Sequence, residues 1–230
     1  MTQEGFARPP TLMAVVAASI REAVLQGDLP QGTRLLEAQL SREYNVSRGT
    51  IREALRSLQI EGLIRVIPHR GAIVDTLSSR KVAETYSMRI LLESHAIELG
   101  ITKGNYGAQV HAELRKLLSH MGNVRKTSAY HQLLAIDAQF HQRLCARSDN
   151  RLLLELLDIC IARTRLCMAA LAISGSTVLA DPARHAPIVE AVQDGDVGRA
   201  REAITEHFEL GRDELLTWLR SQPNQGDEAA

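Results

Sequence analysis

Asp137 and His141 stand one helical turn apart in the stretch YHQLLAIDAQFHQRLCA. Leu133, Phe140 and Leu144 define the apolar face of that stretch, and both polar residues lie inside it. A carboxylate placed in an apolar face is expensive unless something pairs with it. On a helix, residues four apart project side by side, so an Asp and a His at this spacing can ligate one ion. His185 shares a face with Val189 and Val192, and His207 shares one with Leu210 and Trp218. Four such side chains on three helices, all turned to one core, would make an Asp-His₃ site for a divalent ion. Nitrogen and carboxylate ligands suit zinc or nickel without choosing between them. A buried histidine is equally at home as a hydrogen-bonded core residue, and His95, His111, His120 and His131 show how freely histidine is used here. On spacing alone both readings stand.

A second kind of chemistry is written between Val46 and Ile64, VSRGTIREALRSLQIEGLI. Ser47 is a good helix N-cap, because its hydroxyl can accept an orphan N–H of the first turn. Ile51, Ala54, Leu55 and Leu58 then mark one face of an amphipathic helix. Arg48, Arg52 and Arg56 lie four apart, so each is turned by only ~40° from the last and together they make a cationic stripe. From Arg42 to Arg70 six arginines (42, 48, 52, 56, 65 and 70) face three acids, Glu43, Glu53 and Glu61. Arginine can grip guanine O6 and N7 or clamp a phosphate. Ser47 and Thr50 sit where the helix start favours phosphate oxygens. His69 and Arg70 fall at the tip of a turn, PHRG, and Gly71 lets that tip come close to a backbone.

Those residues need scaffolding, and the rest of the chain supplies it. A helix is expected from about Thr11 to Gln26, closed by Gly27, and a turn and short extended segment through DLPQGTRLL. A short helix over Glu37–Tyr44 follows, with Asn45 at a turn that needs positive φ. Two β-rich runs, Leu63–Ile67 and Ala72–Asp75, flank the PHRG turn as a hairpin. This is a winged helix–turn–helix over residues 1–75, with a linker at 76–79. Beyond it everything reads as helix, about 79–102, 107–122, 127–147, 150–173, 181–193 and 197–221, broken at GNYG, Gly122–Asn123, SDN, SGS and DGD. The fold class is therefore mainly α: a winged helix–turn–helix with a small β-hairpin wing, then an all-α bundle of about six helices over 80–222 and a disordered tail at 223–230.

The totals narrow the partners. The 230-residue chain carries 27 basic and 27 acidic side chains, so its net charge is zero and any DNA-binding surface must come from local clustering. With 45% hydrophobic but only 3% aromatic residues, helix-rich packing is favoured. Cys145, Cys160 and Cys167 show no CxxC spacing and read as reduced core thiols of a cytoplasmic protein. The first residues are too short an apolar run for a membrane span and lack a signal-peptide layout.

Residues 10–75 resemble the DNA-binding domain of the GntR family of bacterial transcription regulators. The resemblance is carried by Pro30, Gly32, Leu35 and Leu40, by Val46, Ser47, Arg48, Ile51, Arg52, Glu53, Ala54, Leu55 and Leu58, and by Glu61, Gly62, Leu63 and Gly71. Residues 79–221 resemble the FCD effector domain of the FadR-type branch. Arg89 and Glu93, Asp137, Phe140 and His141, Ser148 and Asn150 carry it, with His185, Ile188, Ala191, Gly195, Asp196 and His207. The resemblance implies DNA contacts from Arg48, Arg52, Gly71 and Thr50. It also implies a divalent metal held by Asp137, His141, His185 and His207. The expected protein is a cytoplasmic homodimer that binds operator DNA, most simply as a repressor, and answers to a small organic or sugar-acid carboxylate. Arg89 could meet such an acid, although an Arg89–Glu93 pair at i, i+4 is the plainer reading. Arg163 is a second candidate. Two rivals remain: the same regulator with a structural or directly sensing metal, and a metallohydrolase, which lacks a general base and leaves residues 10–75 without a role. The chain is not expected to be an enzyme.

Overall fold

The computed structural model describes residues 10–67, 71–127, 129–173 and 180–221. Pro68, His69 and Arg70 of the wing tip, the SGS break and the tail from 222 onwards lie outside them. The chain divides into two compact units, Met1–Thr76 and Leu77–Ala230.

The first unit is built from α1 (Leu12–Gln26), β1 (Arg34–Leu35), α2 (Glu37–Glu43), α3 (Arg48–Ile60), β2 (Ile64–Ile67) and β3 (Gly71–Val74). Thr11 caps α1 by accepting from the Ala14 N–H, and Gly27 ends it at φ 85°. Ser47 caps α3 by accepting from the Thr50 N–H at 3.1 Å. Asn45 takes φ 51° between α2 and α3. Ser41 ties that turn down, its hydroxyl donating to the Val46 carbonyl at 2.6 Å. Ile51, Ala54, Leu55 and Leu58 are buried on α3 and Val16, Ala17, Ile20 and Val24 on α1, and the two helices pack together. Arg21 on α1 fixes their far end with two 2.6 Å hydrogen bonds to Glu61.

The wing is larger than a two-stranded hairpin. The extended segment after Gly32 is a third strand, and the antiparallel sheet runs β1-β3-β2 with β3 in the centre. Arg34 faces Ile73 and Leu35 faces Ala72 across β1 and β3. Gly32, at φ 81°, turns the chain into this pairing and donates its N–H to the Val74 carbonyl. Gly71 opens β3 at φ 87°, and a Cβ there would lie 2.9 Å from the Leu35 carbonyl oxygen. Gly71→Ala should therefore destabilise this unit by about 1–3 kcal/mol, through a disfavoured backbone region and a backbone collision. Denaturant titration of the full chain reads this directly, and an unchanged midpoint would contradict it.

The second unit contains α4 (Ser79–Thr102), α5 (Ala108–Arg125), α6 (Tyr130–Cys145), a 3₁₀ turn (Ala146–Ser148), α7 (Arg151–Ile173), α8 (Pro182–Asp194) and α9 (Val197–Ser221). α4 packs along α9 and α7, and α5 along α6 and α8. Leu133, Phe140, Leu144, Ile188, Phe208 and Leu215 are among the fully enclosed residues of the core. One expected break is absent: α5 runs through Gly122–Asn123 to Arg125. Its buried stripe carries across the pair from Met121 to Val124, and Gly122 lies close to Pro182 of α8. Burial of the stripe outweighs the turn preference of two residues.

Candidate DNA-reading surface and metal centre

The α3 arginines stand on the solvent side of the helix that buries Ile51 and Leu55. Arg48, Arg52 and Arg56 are exposed, as is Ser47, while Thr50 is half-buried with its hydroxyl 2.9 Å from that of Ser47. With Leu36, Val66 and Gly71 the three arginines line a groove of about 740 Å³ between α3, the start of α2 and the wing. His69 and Arg70 lie outside the described residues. Two arginines are already engaged. Arg52 donates from Nε and Nη2 to the two carboxylate oxygens of Glu37 on α2, at 3.2 and 2.9 Å. Arg56 pairs with Glu53 at 2.7 Å. The hydrogen bond from Arg52, and then its charge, hold the Glu37 carboxyl below its usual pKa. Glu37 was not singled out from sequence, because its contact with Arg52 exists only once α2 crosses α3.

In the second unit the structure brings three of the four candidate ligands together, the histidines, with Asp137 beside His185. His141 on α6, His185 on α8 and His207 on α9 offer ring nitrogens that all lie within 4.8 Å of one another, and all three residues are buried. Asp137, also buried, joins through its Oδ1, 3.0 Å from His185 Nε2. The buried stripe of α9 is Ile204, His207, Phe208, Gly211 and Leu215; Leu210, expected beside His207, is 45% exposed.

Hydrogen-bond partners assign the ring nitrogens. His185 Nδ1 lies 2.9 Å from the Asp181 carbonyl, which only accepts, so Nδ1 is the donor. Its Nε2 faces the Asp137 carboxylate. His141 Nδ1 lies 2.7 Å from Glu93 Oε2. Burial opposes ionisation of Glu93, but the charges of Arg89 and then His141, with their hydrogen bonds, lower its pKa, so it too accepts. His141 Nε2 is left buried without a partner, as is His207 Nδ1. Buried polar atoms in that state cost about 1–3 kcal/mol each. Two of the three clustered rings thus carry a buried nitrogen without a partner, and three histidines whose ligand-capable nitrogens lie within 4.8 Å of one another fit a divalent cation.

Burial, and then the nearby charges of His185, His141 and Arg89, push the His207 pKa well below the ordinary 6.5. Burial likewise lowers that of His141. Both shifts favour the neutral form that a metal needs. For the metal-free protein the sign follows: below about pH 6.5 the unfolded chain takes up protons that these folded rings refuse, so stability falls as pH falls. Asp137 burial is outweighed by its histidine and Arg89 neighbours, its pKa is lowered, and its contribution is lost further down the same acid limb. Thermal melting of chelator-treated protein should show the decline beginning just under pH 6.5, and a flat profile down to about pH 5 would contradict it.

Arg89 is 2% exposed, with its guanidinium 4.3 Å above the Phe208 ring centre. Its Nε donates to Glu93 Oε1 at 2.8 Å. Its Nη2 lies 2.7 Å from the same oxygen but is not aligned for a hydrogen bond. Arg89, Asp137, Thr164, His207 and Gly211 line a cavity of about 10 Å³, room for one water. Arg163 does not line it: it is exposed on α7, and the buried neighbour Thr164 turns to the cavity instead.

A winged helix–turn–helix head followed in the same chain by a helical bundle with a polar, histidine-rich heart defines a DNA-binding transcription regulator rather than an enzyme. The gntR family of bacterial regulatory proteins matches residues 12–74, and the FCD domain matches residues 84–210. The chain belongs to the GntR family, in the branch that carries an FCD domain. It is 29% identical over 199 residues to the HTH-type transcriptional regulator YdhC of Bacillus subtilis strain 168, covering 82% of this chain and 84% of that one. It is 40% identical over 135 residues to the gluconate operon transcriptional repressor of the same strain, covering 59% of this chain and 54% of that one. The fold matches that of E. coli McbR/YncC with a TM-score of 0.79 at 21% identity, over 92% of this chain and 100% of that one. Among the described residues no helix is long and apolar enough to cross a membrane.

Proposed function

We propose that this regulator is a homodimeric repressor whose grip on operator DNA is set by a small carboxylate docking beside a divalent ion in the helical unit. Asp137, His141, His185 and His207 would hold the ion, zinc or nickel by donor type. When bound, the ion would supply a positive centre for an acidic ligand. Arg89 carries the reading: a fully buried guanidinium lines the same small cavity as Asp137 and His207, with Nη2 unaligned to any acceptor. An acid there would take that nitrogen. The repressor of the gluconate operon points to sugar acids as the class to try first.

A cavity of about 10 Å³ does not admit an acid, so binding has to open the bundle. α4 carries Arg89 and begins at Ser79, the last residue of the expected 76–79 linker, so a shift of this helix would pass along the chain to the DNA-binding head. The acid acts only through unequal affinity for the DNA-competent and incompetent states. Ser47, Arg48, Thr50, Arg52, Arg56 and Gly71, with His69 and Arg70, would form the DNA face. Two-fold operator symmetry calls for a second copy. Exposed Leu91 on α4 and Leu152 and Leu156 on α7, two helices that pack together, offer an apolar face for it.

The closed cavity also favours a second reading, in which the ion is structural or is itself the signal. Operator DNA obtained by in vitro selection separates the two. Zinc-loaded protein on a fluorescent operator should be released by gluconate or a related sugar acid, and Arg89→Lys should blunt that release. Release by metal alone, with none of a panel of acids adding to it, would favour the second reading.

A further inference from the structure

We propose that Glu93 is a positioning residue for the metal, fixing the His141 ring so that Nε2 faces the ion and tying that ring to Arg89. This rests on the metal reading above. Glu93 is 0% exposed, and its two oxygens are divided: Oε2 takes His141 Nδ1 at 2.7 Å, and Oε1 takes Arg89 Nε at 2.8 Å. A plain helix-stabilising pair needs only Arg89, one turn away. The second oxygen instead reaches from α4 to a ring on α6, and that ring's other nitrogen is the one left buried without a partner. A carboxylate behind a ligating histidine sets its tautomer, holds its plane and raises its donor strength.

The shared carboxylate has a further consequence. Arg89 and His141 draw on one negative charge. An acid that neutralises Arg89 leaves more of that charge to His141 and tightens its hold on the ion. By linkage the ion must tighten the acid by the same factor.

The test uses the full chain, with zinc competed against a chromophoric chelator and ring ¹⁵N spectra of the metal-free protein. Glu93→Gln should lose about 10- to 100-fold in zinc affinity, and its His141 resonances should move toward a mixture of tautomers. Glu93→Asp keeps the charge and should show a smaller loss. Folded Glu93→Gln with wild-type affinity and an unmoved His141 ring overturns the proposal. Should the Gln variant not fold, Glu93→Asp decides, and wild-type affinity with unmoved resonances in that variant overturns it equally. Wild type and His141→Ala holding zinc equally well would overturn the metal reading itself, a different outcome from an innocent Glu93.

Discussion

Zinc or nickel, supplied at about a thousand times its dissociation constant, should stabilise the helical unit by about 4 kcal/mol. For a domain of this size that is a rise of about 8–16 °C in its melting transition, since each kcal/mol moves Tm by about 2–4 °C. The effect is large because an ion that binds only the assembled site adds its binding free energy to folding. It also relieves specific defects of the metal-free core. His141 Nε2 and His207 Nδ1, buried without partners, would gain one. His141→Ala should abolish the metal-dependent rise whatever it does to the baseline, because the readout is the difference between metal and chelator in one variant. A rise of wild-type size in His141→Ala would place the ion elsewhere. His185→Ala and His207→Ala should behave alike, as the three rings converge from three helices.

Local rules made most of this fold legible. Caps at Thr11, Ser47 and Asp181 and the left-handed residues Gly27, Asn45 and Gly195 set helix ends through bonds within a few residues of themselves. The burial of Asp137, His141, His185 and His207 was legible for a similar reason: a polar residue inside an apolar stripe announces itself by period. What escaped were features made only by contact between elements. β1 is two residues long and has no period of its own; its pairing with β3 makes it a strand. The α5 stop at Gly122 gave way to buried Met121 and Val124. Leu210 was assigned to a face one residue away from the true one, Gly211, since one helical residue is a rotation of ~100°. Glu93 was legible as the partner of Arg89, but not as that of His141, 48 positions on.

Arg52→Ala should weaken operator binding by about 5- to 150-fold and relax the preference at one base position, the signature of a side chain that reads a base edge. A residue that only clamps phosphate would instead weaken all sequences alike and lower the salt slope by about one. Arg52 is not idle in the DNA-free protein, where both its Nε and Nη2 are held by Glu37. DNA must therefore compete with an acid already in place. That pair is exposed and exchangeable, its arginine side chain 55% accessible, so releasing it costs little. Glu37→Gln should consequently raise affinity by about 1.5- to 5-fold, more at low salt, because it removes both the competitor and a negative charge beside the groove. The double variant decides what Glu37 contributes. If its only role is to hold Arg52, Glu37→Gln should have almost no effect once Arg52 is alanine. If the acid also repels phosphate by itself, part of the gain should survive. Operator affinity unchanged in Arg52→Ala would remove Arg52 from the reading surface and leave Arg48, which is exposed one turn nearer the helix start, as the residue to test.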